Sequence, residues 1–436
     1  MSTTSPAVPV PAPPPATTAG DLLRLAGGVA RAFARGPRRF ELRRVLREWL
    51  RETAARRGSD DLVVNLGVTR LLVVGGRELS RHVLEGTPRQ DGYVEGETKR
   101  KAMAVLAPGA LTVAHGERWM RLRRFNELVL RTVDDPRSRE AYLAQVRRAF
   151  ARVVRSENDV RACMREANRG IVFGPGVASE RLSRDVEFLS GLVQSPVKRI
   201  ALGMLARTRR RRLYDELRRL WDDPAAAERP TLLGAARRHA PDADGGEALQ
   251  QVPHWMFTFT GSGTDLLVRT LALVGSNADA WERARGEAVE SSEAPEHAGR
   301  SGGFLEACLR ESARLYPPVT RTFHRCPHGD TVGGVSIPPD MEIVHSFPLD
   351  DGAGDPGGRV FRPQRWLEPG EAARARAFAD PFLGGARACP GEALIVFVCT
   401  AALRELLKRG VRVRGDDLSR EPLPFTFPRE LRFTEG

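Results

Sequence analysis

Pro381-Phe382-Leu383-Gly384-Gly385-Ala386-Arg387-Ala388-Cys389-Pro390-Gly391 leads into an apolar run from Ala393 to Leu403. Paired glycines mark a turn, and the run after them reads as a buried helix. Cys389 sits at the join. Pro390 suits the first helical position, because its missing N–H would have no intrahelical partner there. The Cys389 sulfur is then expected beside the positive end of the helix, where backbone N–H groups favour the thiolate. A thiolate so placed is a competent metal ligand. Arg387, two residues earlier, adds positive charge suited to an anionic group of a cofactor.

The rest of the chain narrows the class. Hydrophobic residues make up 41% and charged residues 28% of the 436 residues, as in ordinary globular proteins. The five cysteines form no CxxC pair, which argues against a zinc site and a disulfide framework. A reducing cytoplasm is expected. Residues 1–20, rich in Pro, Ala and Thr and without a charged side chain, read as a flexible tail. The longest apolar run falls well short of the roughly 20 residues that cross a bilayer, so no membrane span is expected. The net charge of +13 raises the question of nucleic acid, sharpest at Arg207-Thr208-Arg209-Arg210-Arg211-Arg212. No zinc-finger, RNA-binding or basic-zipper signature accompanies that run, and LYDELRRLW follows it at helical spacing, so it reads as a solvated helix face and no nucleic acid is expected.

Helical patterning dominates, over 40–56, 117–132, 138–155, 255–275, 279–290, 303–315 and 392–409. Strands are expected at Leu62–Val68, Leu71–Val74, Val332–Ile337 and Met341–Val344. Pro348 to Gly358 reads as an irregular loop. The expectation is a mainly α fold with minor β, as one domain over 21–436.

The loop FLGGARACPG resembles the heme-binding loop of cytochromes P450, with Phe382, Gly385, Arg387, Cys389 and Gly391 at the family's spacing. Three further segments are similar to motifs of that family. Glu311 and Arg314 resemble its Glu-x-x-Arg helix, and Phe361-Arg362-Pro363-Gln364-Arg365-Trp366 its second arginine motif. Trp119 and Arg123 resemble its Trp-x-x-x-Arg helix. The resemblance implies that Cys389 is the axial ligand to the iron of heme b, within a loop that includes Phe382 and Gly385. Trp119, Arg123 and Arg387 are implied to hold the propionates, with His324, or Arg325 after a one-residue slip, as a further donor. Glu311, Arg314 and Arg365 are implied to form a buried triad bracing the loop that carries Cys389.

The segment Trp255 to Gly275 is similar to the family's long central helix, interrupted here by Gly261-Ser262-Gly263, which should loosen it and free carbonyls. Thr264 stands in the place of the family's alcohol. Gly263 replaces its acid, and Asp265 lies one residue late, turned by about 100°. Proton delivery then falls to Thr264 with ordered water, or to a group on the substrate, or the chemistry is not ordinary hydroxylation. Membership implies a triangular helical body around one buried heme, and insertion of one oxygen atom into a small organic substrate, in specialised metabolism. Electrons are expected from a separate acidic ferredoxin or flavodoxin with its reductase, steered by Arg121, Arg124 and Arg310. The alternatives are peroxide-driven oxidation, desaturation, ring coupling or isomerisation on the same thiolate, or a non-catalytic heme-binding protein.

Overall fold

The computed structural model describes residues 14–35, 42–65, 70–85, 92–240, 245–290, 303–332, 335–339, 341–346, 358–378 and 381–435. The chain divides into two compact units, each threaded by separate segments. One gathers Met1–Glu97, Thr320–Asp350 and Gly384–Arg387, and the other takes the remainder.

The first unit is built on a five-stranded sheet of order β1-β2-β7-β4-β3. Its strands are β1 (Leu62–Asn65), β2 (Arg70–Val74), β3 (Val94–Glu95), β4 (Arg321–Arg325) and β7 (Glu342–Ser346). A separate hairpin pairs β5 (Asp330–Val332) with β6 (Val335–Ile337). Within this sheet β2 and β7 run parallel, and the β1–β2, β4–β7 and β3–β4 pairs antiparallel. The two-residue period of a strand splits the apolar residues between faces. Val63, Leu72, Val74 and Ile343 pack with Leu79 and Val83 of the helix Arg77–Glu85. Leu62, Val64, Val73 and Val344 pack with Trp49 and Ala54 of the helix Leu42–Arg57. Both faces are therefore covered.

The second unit is helical. Its core joins the helices Gly116–Leu130, Pro136–Phe150, Glu157–Phe173, Phe304–Leu315 and Glu392–Lys408 around a long central one. Caps start several of them: Asp135 accepts from the Ser138 N–H at 2.9 Å with Pro136 in the first turn, and Ser156 caps Asp159. The central helix runs from Val252 to Ser276 and widens into a π-turn at Phe259–Gly263, where the Gly-Ser-Gly interruption predicts loosening. The arginine run lies on the helix Gly203–Asp222, with Leu213, Leu217 and Trp221 buried on its inner side.

Several expectations change. Residues 1–13, the Gly333-Gly334 turn and most of the expected loop, 348–357, lie outside the described residues. Residues 14–20 do not belong to a tail: Thr17 donates to Val63 O at 2.8 Å, Val63 donates to Pro15 O at 3.1 Å, and a helix begins at Ala19. Backbone pairing to a sheet edge needs no particular side chains, so the Pro-rich composition concealed it. The expected strand Val332–Ile337 is the β5–β6 hairpin. The strand β4, Arg-Thr-Phe-His-Arg, escaped the reading because its buried positions are Thr322 and His324 rather than aliphatics.

Candidate functional site

Cys389 is the exposed cysteine of this chain; Cys163, Cys308, Cys326 and Cys399 are buried. Burial pushes the Cys163 thiol up to about 11 and Cys399 up to about 12, and raises Cys308 well above the ordinary thiol range. Those three are inert as nucleophiles or ligands near neutral pH. The Cys389 N–H donates to Phe382 O at 2.7 Å, which closes the loop, and the Glu392 N–H donates to Cys389 O at 3.3 Å. The helix starts at Glu392, as the helical pattern over 392–409 predicts, while Pro390 and Gly391 form a turn before it rather than its first residues. Within the helical unit, Arg123 donates to the carbonyl of Ala388 and, through Nε, to Glu127 at 2.7 Å. It thereby anchors the residue next to Cys389. Trp119, one turn earlier on the same helix, is buried.

The stretch Gly384–Arg387 belongs to the sheet unit. Gly385 has φ +65°, and a Cβ there would meet Leu84 O at 3.2 Å, so both backbone conformation and the helix Arg77–Glu85 require glycine. Arg387 is buried and donates to Glu95 Oε1 at 2.6 Å and to Tyr93 O at 3.4 Å. Glu95 stands opposite His324 in the β3–β4 register. His324 is buried, with Nε2 2.8 Å from Thr322 Oγ1 and its ring edge-on to His345. The fold thus puts Glu95, which no sequence signal singled out, in contact with Arg387 and opposite His324 in the strand register. Arg325, its alternative, faces the other way on β4.

Glu311 is fully buried and receives Arg314 in bidentate fashion, at 2.8 and 2.9 Å, with Arg365 Nε at 3.1 Å. Trp366 Nε1 adds a fourth side-chain bond at 2.9 Å and the Arg362 N–H one at 3.1 Å. Arg314 also donates to the carbonyls of Gly358 and Val360, at 3.4 Å each. The link to the Cys389 helix comes from Arg310, which donates to Glu392 at 2.7 Å and to Glu306 at 2.8 Å. Arg310 is therefore a structural tie, not the free steering charge that the sequence predicts. Arg121 is exposed but paired with Glu247 at 3.0 Å, whereas Arg124 is exposed with no carboxylate partner among the described residues.

On the central helix, the Thr264 hydroxyl is buried and donates to Thr260 O at 2.6 Å. A Cβ at Gly263 would come within 2.8 Å of Ile395 Cδ1 and 3.1 Å of Met164 Cε, so this position faces apolar packing. Asp265 points elsewhere, between Arg161 and Arg269 at 3.4 Å each. A cavity of about 280 Å³ opens onto the π-turn at Thr260 and Gly261, lined also by Arg161, Arg165 and Ser183.

The sequence model of the family described as Cytochrome P450 matches residues 289–409, which hold both the Glu311 triad and the Cys389 loop. A cyanobacterial P450, CYP120A1, solved with retinoic acid, superposes with a TM-score of 0.70 over 89% of this chain and 94% of its own, at 19% identity. The chain belongs to the cytochrome P450 family. Two curated relatives match more locally. Berbamunine synthase of Berberis stolonifera is 34% identical over 110 residues, covering 24% of this chain and 22% of its own length. The P450 monooxygenase FUP2 of Fusarium proliferatum is 38% identical over 100 residues, 20% of this chain and 19% of its own. These matches span about a fifth of each relative. The fold is that of the P450 neighbours, mainly helical with small sheets. Among the described residues no helix is long and apolar enough to cross a membrane.

Proposed function

We propose that this chain is a heme-thiolate monooxygenase that inserts one oxygen atom into a small organic substrate, in specialised metabolism. The observation that carries the reading is Cys389, an exposed thiol at a glycine-turned helix start, in a chain whose other four thiols are buried. Heme b fits this donor set. Cys389 would hold the iron through its thiolate, with Phe382 and Gly385 fixing the loop that presents it. Trp119, Arg123, His324 and Arg387 would hold the two propionates. Glu95 occupies Arg387 meanwhile, and a propionate carboxylate competes for the same guanidinium. When bound, the cofactor supplies activation of dioxygen at its iron. Thr264 would hold and pass a proton: its hydrogen lies on Thr260 O, and its oxygen remains an acceptor for water. General acid assistance of that kind is typically worth about 10²–10⁴-fold.

Reduced protein under carbon monoxide is expected to show the red-shifted Soret band of a thiolate-ligated heme, with one heme per chain. Cys389→Ala should abolish the band while Cys399→Ala keeps it, and a band that survives Cys389→Ala defeats the assignment.

Gly263 favours a second reading on the same cofactor site. Its α-carbon faces Ile395 and Met164, and Asp265 is held by two arginines, so the usual acid has no replacement at that position. A peroxide-driven oxidation needs less proton delivery. Turnover that requires external reductant and dioxygen supports the monooxygenase; turnover on peroxide alone supports the alternative. For the monooxygenase we further propose an acidic ferredoxin or flavodoxin with its reductase as electron donor, and a cytoplasmic setting, where free thiols stay reduced.

A further inference from the structure

Both arginines proposed to hold heme propionates have carboxylate partners within the chain. Arg123 pairs with Glu127 at 2.7 Å, and Arg387 pairs with Glu95 at 2.6 Å. Their surroundings differ. The Arg123 and Glu127 side chains are 17% and 38% exposed, so water screens that carboxylate, whereas those of Arg387 and Glu95 are 6% and 4% exposed and the Glu95 charge acts almost unscreened. Glu95 is also fixed in place. It stands opposite His324 in the antiparallel β3–β4 pair, and the next residue, Gly96, donates its N–H to Phe323 O at 2.9 Å. A Cβ at Gly96 would come within 2.9 Å of Phe323 Cβ and 2.6 Å of Glu342 Oε1, so glycine there lets the strands close. The Glu97 N–H donates to Glu342 Oε2 at 3.2 Å and ties down the far end of the segment. Burying an ion pair of this kind gains little stability, because desolvation offsets the attraction.

We infer that Glu95 is a positioning residue that aims the Arg387 guanidinium and holds the reduction potential of the heme iron low, a role that rests on the heme assignment proposed above. A guanidinium carries five N–H donors in a planar fork, so Nη1 can serve Glu95 while another edge serves a propionate. The two carboxylates then share one positive charge. Reduction adds a negative charge to the iron, and a buried anion that cancels part of the Arg387 charge makes that addition less favourable. Glu127 has little such effect, because its carboxylate is exposed to solvent.

Spectroelectrochemical titration of the heme-loaded full chain tests this, with heme content and the carbon monoxide band recorded on the same samples. Glu95→Gln keeps an oxygen acceptor for Arg387 and removes the charge. Its ferric–ferrous equilibrium is expected to shift toward ferrous by roughly threefold or more, the scale of one buried unit charge at an effective dielectric constant of about 20. Glu95→Asp keeps the charge and should return the potential toward that of the wild type. Glu127→Gln should leave it unchanged. A Glu95→Gln protein that retains heme and the red-shifted band at the wild-type potential overturns the inference, as does a Glu95→Asp potential raised as far as that of Glu95→Gln. Loss of heme by Glu95→Gln overturns it too, because the charge would then serve binding rather than the potential. Wild-type protein that takes up no heme, or lacks the band, defeats the heme assignment itself and this role with it.

Discussion

A methyl group added at Gly263 would meet Ile395 Cδ1 and Met164 Cε, the ends of two flexible side chains. Gly263→Ala is therefore expected to fold with a loss of about 1–2 kcal/mol from overpacking. Gly263→Asp would drive a carboxylate into the same apolar contact, at a cost of roughly 2 kcal/mol more, and should not improve the coupling of oxygen consumption to product. Urea denaturation decides the steric origin: on an Ile395→Ala background, Gly263→Ala should cost nothing further, while Gly263→Asp should remain impaired. A full penalty for alanine on that background would mean that the backbone, not Ile395, sets the limit. In the sequence, Gly263 reads as a missing acid and as part of the loosening Gly-Ser-Gly stretch, but not as a contact of Ile395, because that contact spans more than 130 positions. Glu95 is a sharper case: nothing in Asp-Gly-Tyr-Val-Glu marks it, and it meets Arg387 only through the folded sheet.

At the scale of elements, the spacing of Glu311 and Arg314 was enough to predict a shared helix face, and the helix Phe304–Leu315 carries them so. What the spacing could not predict was the crowding of Glu311, which accepts from Arg314, Arg365, Trp366 and a backbone N–H with no water-exposed surface. Removing that carboxylate leaves two buried guanidiniums without their counter-charge. Glu311→Ala should lower stability by about 3–5 kcal/mol, against roughly 1 kcal/mol or less for Arg310→Ala, whose pairs with Glu306 and Glu392 are partly solvated. Chemical denaturation midpoints of the two variants check this, and comparable small shifts would show that the triad is no brace. The Gly-Ser-Gly interruption is the opposite case. Local composition alone predicted a distortion, and the π-turn lies at Phe259–Gly263 because helix geometry is a local property.

For the molecule as a whole, two dependences on solution conditions follow. Burial holds the His345 imidazole down to about 4, against 6.5 for an exposed histidine. The unfolded chain thus binds the proton more readily, and the contribution of neutral His345 is complete above about pH 6.5 and lost as pH falls to about 4, by about 3 kcal/mol in the limit. Urea titrations across that window should show the decline, and His345→Asn should reduce it, leaving the share of His254, which burial also holds down to about 4. A slope unchanged in that variant would place the titration elsewhere. The net charge of +13 should speed reduction by the proposed acidic carrier, with rates falling as salt rises. Arg124, exposed and without a carboxylate partner among the described residues, is the contributor to test: Arg124→Glu should slow association several-fold at low salt and converge on wild type at high salt. Stopped-flow reduction rates measure this, and an equal effect at both salts would point to a direct contact instead.

The sequence by itself determined the helical class and, through the resemblance of its glycine-arginine-cysteine loop, the family, and it singled out Cys389 as the candidate thiolate, because such a loop is constrained by its own backbone geometry. It also located the Glu-x-x-Arg helix and the loosened turn of the central helix, both set by residues three to five apart. Tertiary structure alone decided that residues 14–17 pair with β1, that Arg310 ties to Glu392, that Glu95 meets Arg387 and stands opposite His324, and that Gly263 faces Ile395. Each of these joins residues tens to hundreds of positions apart. Such contacts depend on strand register and helix packing, which local propensity and spacing do not encode.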